Sequence, residues 1–391
     1  TFVGERSGDA ATTGSNNTSV GHKALSSVTT ADQNDAFGND ALQSLTTGTR
    51  NVAVGSFSAD ALTTANDTTA IGNQALGALT TGLKHTAVGA YALDAVTTIN
   101  ELTAVGYNAL TACTTGASNA AFGAYALAAA TTGQQNTGIG YAAAYQTTTG
   151  SKNTAVGDFA LGGNTTGDEN TAVGSGSLAA LTTGEKNVAL GYRAGAAITT
   201  GVRNVLIGDD AGDALTSAGS NVAIGYQALG ADTLGQHNVA LGQDALSTQN
   251  FTTATNSYNT AIGSAALASN TTGVYNTAVG GAAMAANQAG QKHTAIGYGA
   301  GQDLTGGEEN TLVGYLAGEN LTTSSGNVAM GQEALKTNTT GNFNVAIGRE
   351  SLLSLTTAAN CVAVGKATLE SVTTGAENVG VGKQAGAACT T

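Results

Sequence analysis

Four histidines, three cysteines and 26 carboxylates are the side chains from which acid–base, nucleophilic or metal chemistry could be built in this 391-residue chain. Their spacing offers little of it. His85 and His293 stand where other copies of a repeat carry asparagine, and His22 and His237 are isolated residues of turns. None has the Cys or carboxylate neighbours that a metal site needs. Cys113 and Cys389 occupy a position held elsewhere by Leu or Val, and Cys361 replaces a repeated Asn, so all three read as structural fillers outside disulfide reach of one another. Asp209, Asp210 and Asp213 form the single acidic cluster and read as a solvated turn. No Gly-rich phosphate loop, calcium-binding nonapeptide or nucleophile elbow occurs. The sequence therefore predicts no catalytic residue, no cofactor and no metal, and the chain is expected not to be an enzyme. Sequons such as Asn164-Thr165-Thr166 and Asn338-Thr339-Thr340 arise wherever Asn precedes a Thr pair.

Two features could carry recognition instead. Tyrosine recurs one residue after a repeated glycine at Tyr107, Tyr141, Tyr192, Tyr226, Tyr298 and Tyr315, an aromatic stripe suited to a sugar, a protein or a neighbouring chain. The other feature is an insertion, including Thr248 to Tyr258, expected to bulge as a surface loop. The net charge of −13 disfavours nucleic acid and anionic membranes as partners. No apolar run is long enough to span a bilayer and no signal peptide stands at the start.

The elements that must position these residues come from one repeat. A glycine following an apolar residue recurs at one constant step, Gly4, Gly21, Gly38, Gly55 and so on to Gly242. After a single longer step the series resumes at Gly263 and runs on at the same spacing to Gly382. The pattern reads N-[TV]-A-[VI]-G-x-x-A-L-x-x-x-T-T-G-x-x, as in Asn187 to Arg203. The residue before each anchor glycine is Val, Ile, Leu, Phe or Met. The one before that is Ala, Gly or Ser except at Phe2, Leu206 and Leu312. Length alone would suggest two or three domains, but a repeat array grows in one dimension without dividing its core. Residues 1–391 are thus read as one array of about 23 coils, with a four-residue insertion between Gly242 and Gly263 and with flanking caps, anchor or tip domains expected elsewhere in a longer protein.

The N-[TV]-A-[VI] stretch is rich in β-branched residues and predicts a strand. The anchor glycine suits a turn that other residues resist, A-L suggests a second short strand, and T-T-G returns the chain. The fold class is all-β: a parallel β-solenoid, or β-roll, whose coils stack ~4.8 Å apart into a rod of roughly 110 Å. Stacking makes Asn153, Asn170, Asn187, Asn204, Asn221 and Asn238 an asparagine ladder, with Thr-Thr columns beside it. Both faces of the strand look apolar. The small-residue face, Ala and anchor glycine, is expected to need a second chain, and a homotrimer is expected on that ground, the competing reading being that Ala merely fits a very thin coil.

The core NTAVGDFA at Asn153 to Ala160, and NVAIGYQA at Asn221 to Ala228, resembles the head repeats of trimeric autotransporter adhesins of the YadA-like type and related phage tail-fibre repeats. The resemblance implies a trimeric β-roll displayed extracellularly, on a virion or bacterial cell surface, for attachment. That family's repeat is shorter, and this chain departs from it by the added residues around L-x-x-x-T-T.

Three functions remain in view. The first is a structural and adhesive surface fibre, a rigid trimeric shaft or head that attaches to a glycan or protein receptor. The second is an ice-binding solenoid using threonine ranks, against which adjacent T-T places only one Thr per coil on a given face. The third is a self-assembling extracellular filament subunit, joined through open coil edges.

Overall fold

A computed structural model describes all residues from Thr1 to Thr391. It is an all-β parallel β-solenoid of about 22 turns with no helix. Two compact units divide it, Thr1–Arg193 and Ala194–Thr391. In the first, twelve short strands run from Phe2–Val3 to Val188–Leu190. The strands pair in parallel, each residue with its equivalent one repeat on, as in Thr154↔Thr171, Ala155↔Ala172 and Val156↔Val173. In the second unit the same pairing runs from Val205–Ile207 to Val379–Val381. At the insertion, Val239 pairs with Thr260, and the strands Gly235–Gln236 and Thr255–Asn256 add a separate two-stranded sheet.

Most coils have one strand, not two. The A-L segment, expected as a second strand, is a run of turns in which non-glycine residues two and four places after the anchor adopt positive φ. Asp40 and Leu42 have φ of 57° and 51°, and their equivalents repeat this coil after coil. The alternation turns the N–H of each positive-φ residue along the stacking direction. Asp40 N–H donates to the His22 carbonyl on one side (2.9 Å), and Leu42 N–H to the Ser58 carbonyl on the other (3.1 Å). Coil-to-coil hydrogen bonding therefore continues through the turns, which satisfies their buried backbone groups. A left-handed leucine costs about 1 kcal/mol, which that bond and full burial of the side chain offset.

The anchor glycine is required twice over. At Gly123, φ is +138°, and a Cβ would lie 2.3 Å from the carbonyl oxygen of Gly140, the anchor of the next coil. Both backbone conformation and stacking distance exclude a side chain.

The core lies inside each coil and is thin. The middle residue of the strand, such as Ala36, Ala53 or Ala155, is fully buried with the following Ala-Leu pair and a further Leu or Val, as in Ala41, Leu42 and Leu45. The sequence suggests an outward small-residue face, set against a second chain. The structure reverses this: alanine lines the chain's own interior because so short a coil leaves room for nothing larger at its centre. The β-branched face points outward.

The three exceptions to the small strand centre show how tight that interior is. Phe2, Leu206 and Leu312 each share a coil with a glycine, Gly8, Gly212 and Gly318, at the place usually held by Leu. A Cβ on Gly8 would meet the Phe2 ring at 2.5 Å. One on Gly212 would meet Leu206 Cδ2 at 2.8 Å, and one on Gly318 would meet Leu312 Cδ2 at 2.8 Å. A large residue at one position is matched by the loss of a side chain at the other, as close packing demands.

Candidate functional site

The polar repeat residues are used by the fold. Asn153 is buried; its Oδ1 accepts the N–H of Asn170 (2.9 Å) and its Nδ2 donates to the Gly167 carbonyl (2.8 Å). Asn170 repeats the pattern with Asn187 N–H (3.0 Å) and the Gly184 carbonyl (2.9 Å). In the second unit Asn221 accepts from Asn238 N–H (2.9 Å) and is itself bonded to Asn204 Oδ1 through its own N–H (3.1 Å). Amide-to-amide bonds also occur, as from Asn170 Nδ2 to Asn153 Oδ1 (3.2 Å), but each side chain mainly ties one backbone coil to the next.

Histidine imitates this amide. In His85, Nε2 faces the Ile99 carbonyl at 2.8 Å, and Nδ1 accepts from Leu102 N–H at 3.4 Å. In His293, Nδ1 accepts from Asn310 N–H (3.2 Å). Burial lowers both imidazole pKa values, that of His293 to about 4. Cys361 keeps the same place through Asn344 Oδ1 and the Gly375 carbonyl. Cys113 and Cys361 are buried, Cys389 is exposed, and all three are free thiols. Burial pushes the Cys113 thiol up to about 11. His22 is near Asn39 Oδ1 (3.1 Å) in an exposed turn. Asn164 and Asn338 of the sequons are fully buried and close turns onto Gly167 and Gly341.

The first threonine of most pairs donates its hydroxyl to the equivalent carbonyl one coil on, as from Thr46 to Thr63 (3.1 Å) and Thr165 to Thr182 (3.0 Å). The second, as Thr47 or Thr166, is exposed.

The insertion is partly a loop and partly core. Thr252, Thr253 and Ala254 are exposed, but Gln249 and Ser257 are fully buried. Asp232 Oδ2 accepts from Gln249 Nε2 (2.7 Å), and Gln249 Oε1 accepts from Asn259 (2.8 Å) and Asn270 (3.1 Å). Burial raises the Asp232 pKa, the largest effect on it, while the Gln249 bond and backbone N–H groups, among them those of Phe251 and Gly235, oppose the rise. A leucine column has here become polar, and its members satisfy one another.

Two surfaces remain without an internal use. The first is the outward face of the strands. In the first unit the rank Val20, Phe37, Val54, Ile71, Val88, Val105, Phe122, Ile139, Val156, Val173 and Leu190 carries no charge. Many of its members are exposed, among them Ile71 at 39% and Phe122 at 42%. The rank two residues before it is Thr or Val in most coils, with Asp35 its one charged residue.

The second surface is aromatic. All six tyrosines singled out in the sequence are exposed, but they do not form one stripe. Tyr298 and Tyr315 stack with ring centroids 5.9 Å apart. Tyr107 and Tyr141 instead join Tyr91, Tyr125, Tyr145 and Phe159 in an edge-to-face cluster with centroids 5.3 to 6.2 Å apart. Tyr192 and Tyr226 lie in the same column position further along the chain. A further stack, His237 on Tyr258 (4.9 Å) and Tyr258 on Tyr275 (5.8 Å), lies in the column just before the ladder asparagine. That column also carries exposed ion pairs one coil apart, such as Arg50 with Asp67 and Lys84 with Glu101. The sequence signal for these contacts is an aromatic or a charge repeated one full coil on, and it is visible only once columns are known to be neighbours.

No family model matches the chain, and no curated protein is detectably similar to it.

Proposed function

We propose that this chain is a segment of an adhesive surface fibre, in which copies associate as a homotrimer through the outward strand face and present the turns for attachment to a host or surface. The observation that carries the reading is the uncharged Val/Ile rank, partly exposed on coil after coil. An exposed apolar patch of more than a few hundred Å² on a soluble chain marks an interaction surface. The surrounding turns carry most of the net charge of −13 and keep the remaining surface dispersed. Resemblance of NTAVGDFA and NVAIGYQA to YadA-like and tail-fibre repeats supports the same reading and a place outside the cell, on a bacterium or a virion. Light scattering after size exclusion tests it: a mass near three times 38.0 kDa is expected, and a monomer contradicts it.

One observation favours a second reading, ice binding. The strand's Thr rank and Val/Ile rank lie two residues apart on one face, as at Thr69 and Ile71 or Thr294 and Ile296, so hydroxyls and methyls alternate over a parallel sheet. The T-T pairs are not needed for this array. Thermal hysteresis at micromolar protein would support it, and freezing indistinguishable from buffer would remove it.

A further inference from the structure

The edge-to-face cluster has a construction that the stacked pairs lack. Tyr107 and Tyr141 directly follow their anchor glycines, whereas Tyr91, Tyr125 and Phe159 stand one residue later in the alternate coils. Four of the slots left beside them hold Ala90, Asn108, Ala124 and Ala142. An aromatic in the same column as its neighbour stacks nearly parallel, as Tyr298 and Tyr315 do at 15°. Alternation between columns brings each ring in from the side instead, at 72° to 88° to the next. The result is a corrugated aromatic surface rather than a smooth stack.

Two hollows open in it. One, of about 320 Å³, is lined by Tyr125, Tyr141, Ala142, Tyr145 and Phe159. The other, of about 220 Å³, is bounded by Asn108, Thr111, Tyr125, Ala128, Ala129 and Tyr145. They share Tyr125 and Tyr145, whose rings are 6.2 Å apart, as a common wall. Neither hollow is lined by an acidic or basic side chain; Asp158, the carboxylate nearest in sequence, lines neither. Rigid rings with a polar hydroxyl edge suit a partner that is apolar on its faces and hydroxylated at its rim. A pyranose has that form. With no cation in the walls and an acidic chain around them, an anionic partner gains nothing here.

We propose that this cluster binds a neutral glycan chain, with two consecutive pyranose rings seated in the two hollows on either side of the Tyr125–Tyr145 wall. The proposal rests on the attachment reading and gives it a ligand class. Calorimetric titration of the full chain with neutral hexasaccharides of glucose, mannose, galactose and N-acetylglucosamine, and with hexagalacturonate as the anionic probe, tests it. Saturable binding of at least one neutral hexasaccharide is expected, weakened tenfold or more by Tyr145→Ala or Tyr141→Ala and unchanged by Tyr298→Ala. Both cluster residues are exposed, and circular dichroism of the variants checks that the fold is intact. The proposal is overturned if no neutral probe binds, if hexagalacturonate binds most tightly, or if affinity survives both substitutions. A fall in assembly mass for Tyr145→Ala without sugar binding would make the cluster a contact between copies. Failure of the fibre reading is seen separately, as a monomeric mass with glycan binding intact.

Discussion

At the residue scale, the buried histidines are the most informative substitutions in the array. An imidazole can replace an amide with both nitrogens, as His85 does, or with Nδ1 alone, as His293 does while its Nε2 stays unpartnered, but it brings a titration with it. His293 is held neutral by burial, with its pKa lowered from 6.5 to about 4, while in the unfolded chain it takes a proton near the ordinary value. A folded value below the unfolded one means that the unfolded state gains protons first as pH falls. Stability should therefore decline from about pH 6.5 down to about pH 4, by about 3 kcal/mol for this residue alone. His293→Asn restores the ladder amide and should remove that part of the decline; urea midpoints of parent and variant at pH 7 and pH 4.5 would show it. Equal pH dependence in the two proteins would contradict the assignment. The anchor glycines give a second prediction. Gly123→Ala should cost about 2 kcal/mol or more, since both φ and the Gly140 carbonyl oppose a methyl group. Because each coil touches only its neighbours, hydrogen exchange should quicken around Gly123 and Gly140 and stay unchanged several coils away. Uniform exchange throughout would contradict the account.

At the element scale, one coil is a strand of three residues, a run of alternating left- and right-handed turns, and a threonine return. Its interior volume is conserved by exchange between positions. Leu312→Ala should open a cavity and cost roughly 2 to 5 kcal/mol, and Gly318→Leu alone should overpack the same space. Together they recreate the usual Ala and Leu pairing, so the double variant should recover a large part of the loss. A double-mutant cycle in urea would measure a favourable coupling of about 1 kcal/mol or more; simple additivity would contradict the exchange. Much of this element was legible in the sequence. The repeat period, the parallel register, the strand at N-[TV]-A-[VI] and the glycine turn all follow from spacing and residue type. The left-handed leucines did not, because nothing in leucine's own preferences favours positive φ; stacking imposes it. The direction of the strand faces is not legible from residue type: alanine beside glycine fits a contact between chains as well as a thin coil, and the coil's own narrowness selects it. Of the aromatic site, Tyr107 and Tyr141 were visible as a column. Tyr91, Tyr125, Tyr145 and Phe159 were not, since their contacts depend on adjacent columns lying side by side.

At the scale of the whole molecule, the interior is complete within each chain, so the proposed association of copies uses the outside. On that outside the Val/Ile rank is uncharged and partly exposed, with the Thr/Val rank beside it. Copies of the chain are proposed to meet there. The most direct test is the solution mass of a variant that places charge on that rank, Ile71→Lys with Ile139→Lys, beside the parent protein. Both residues are exposed in the single chain, and substitution leaves the core untouched. The parent should scatter with a mass near three times 38.0 kDa and the variant near 38.0 kDa, with the same circular dichroism. A parent that is already monomeric, or a variant that keeps the parent's mass, would contradict the claim.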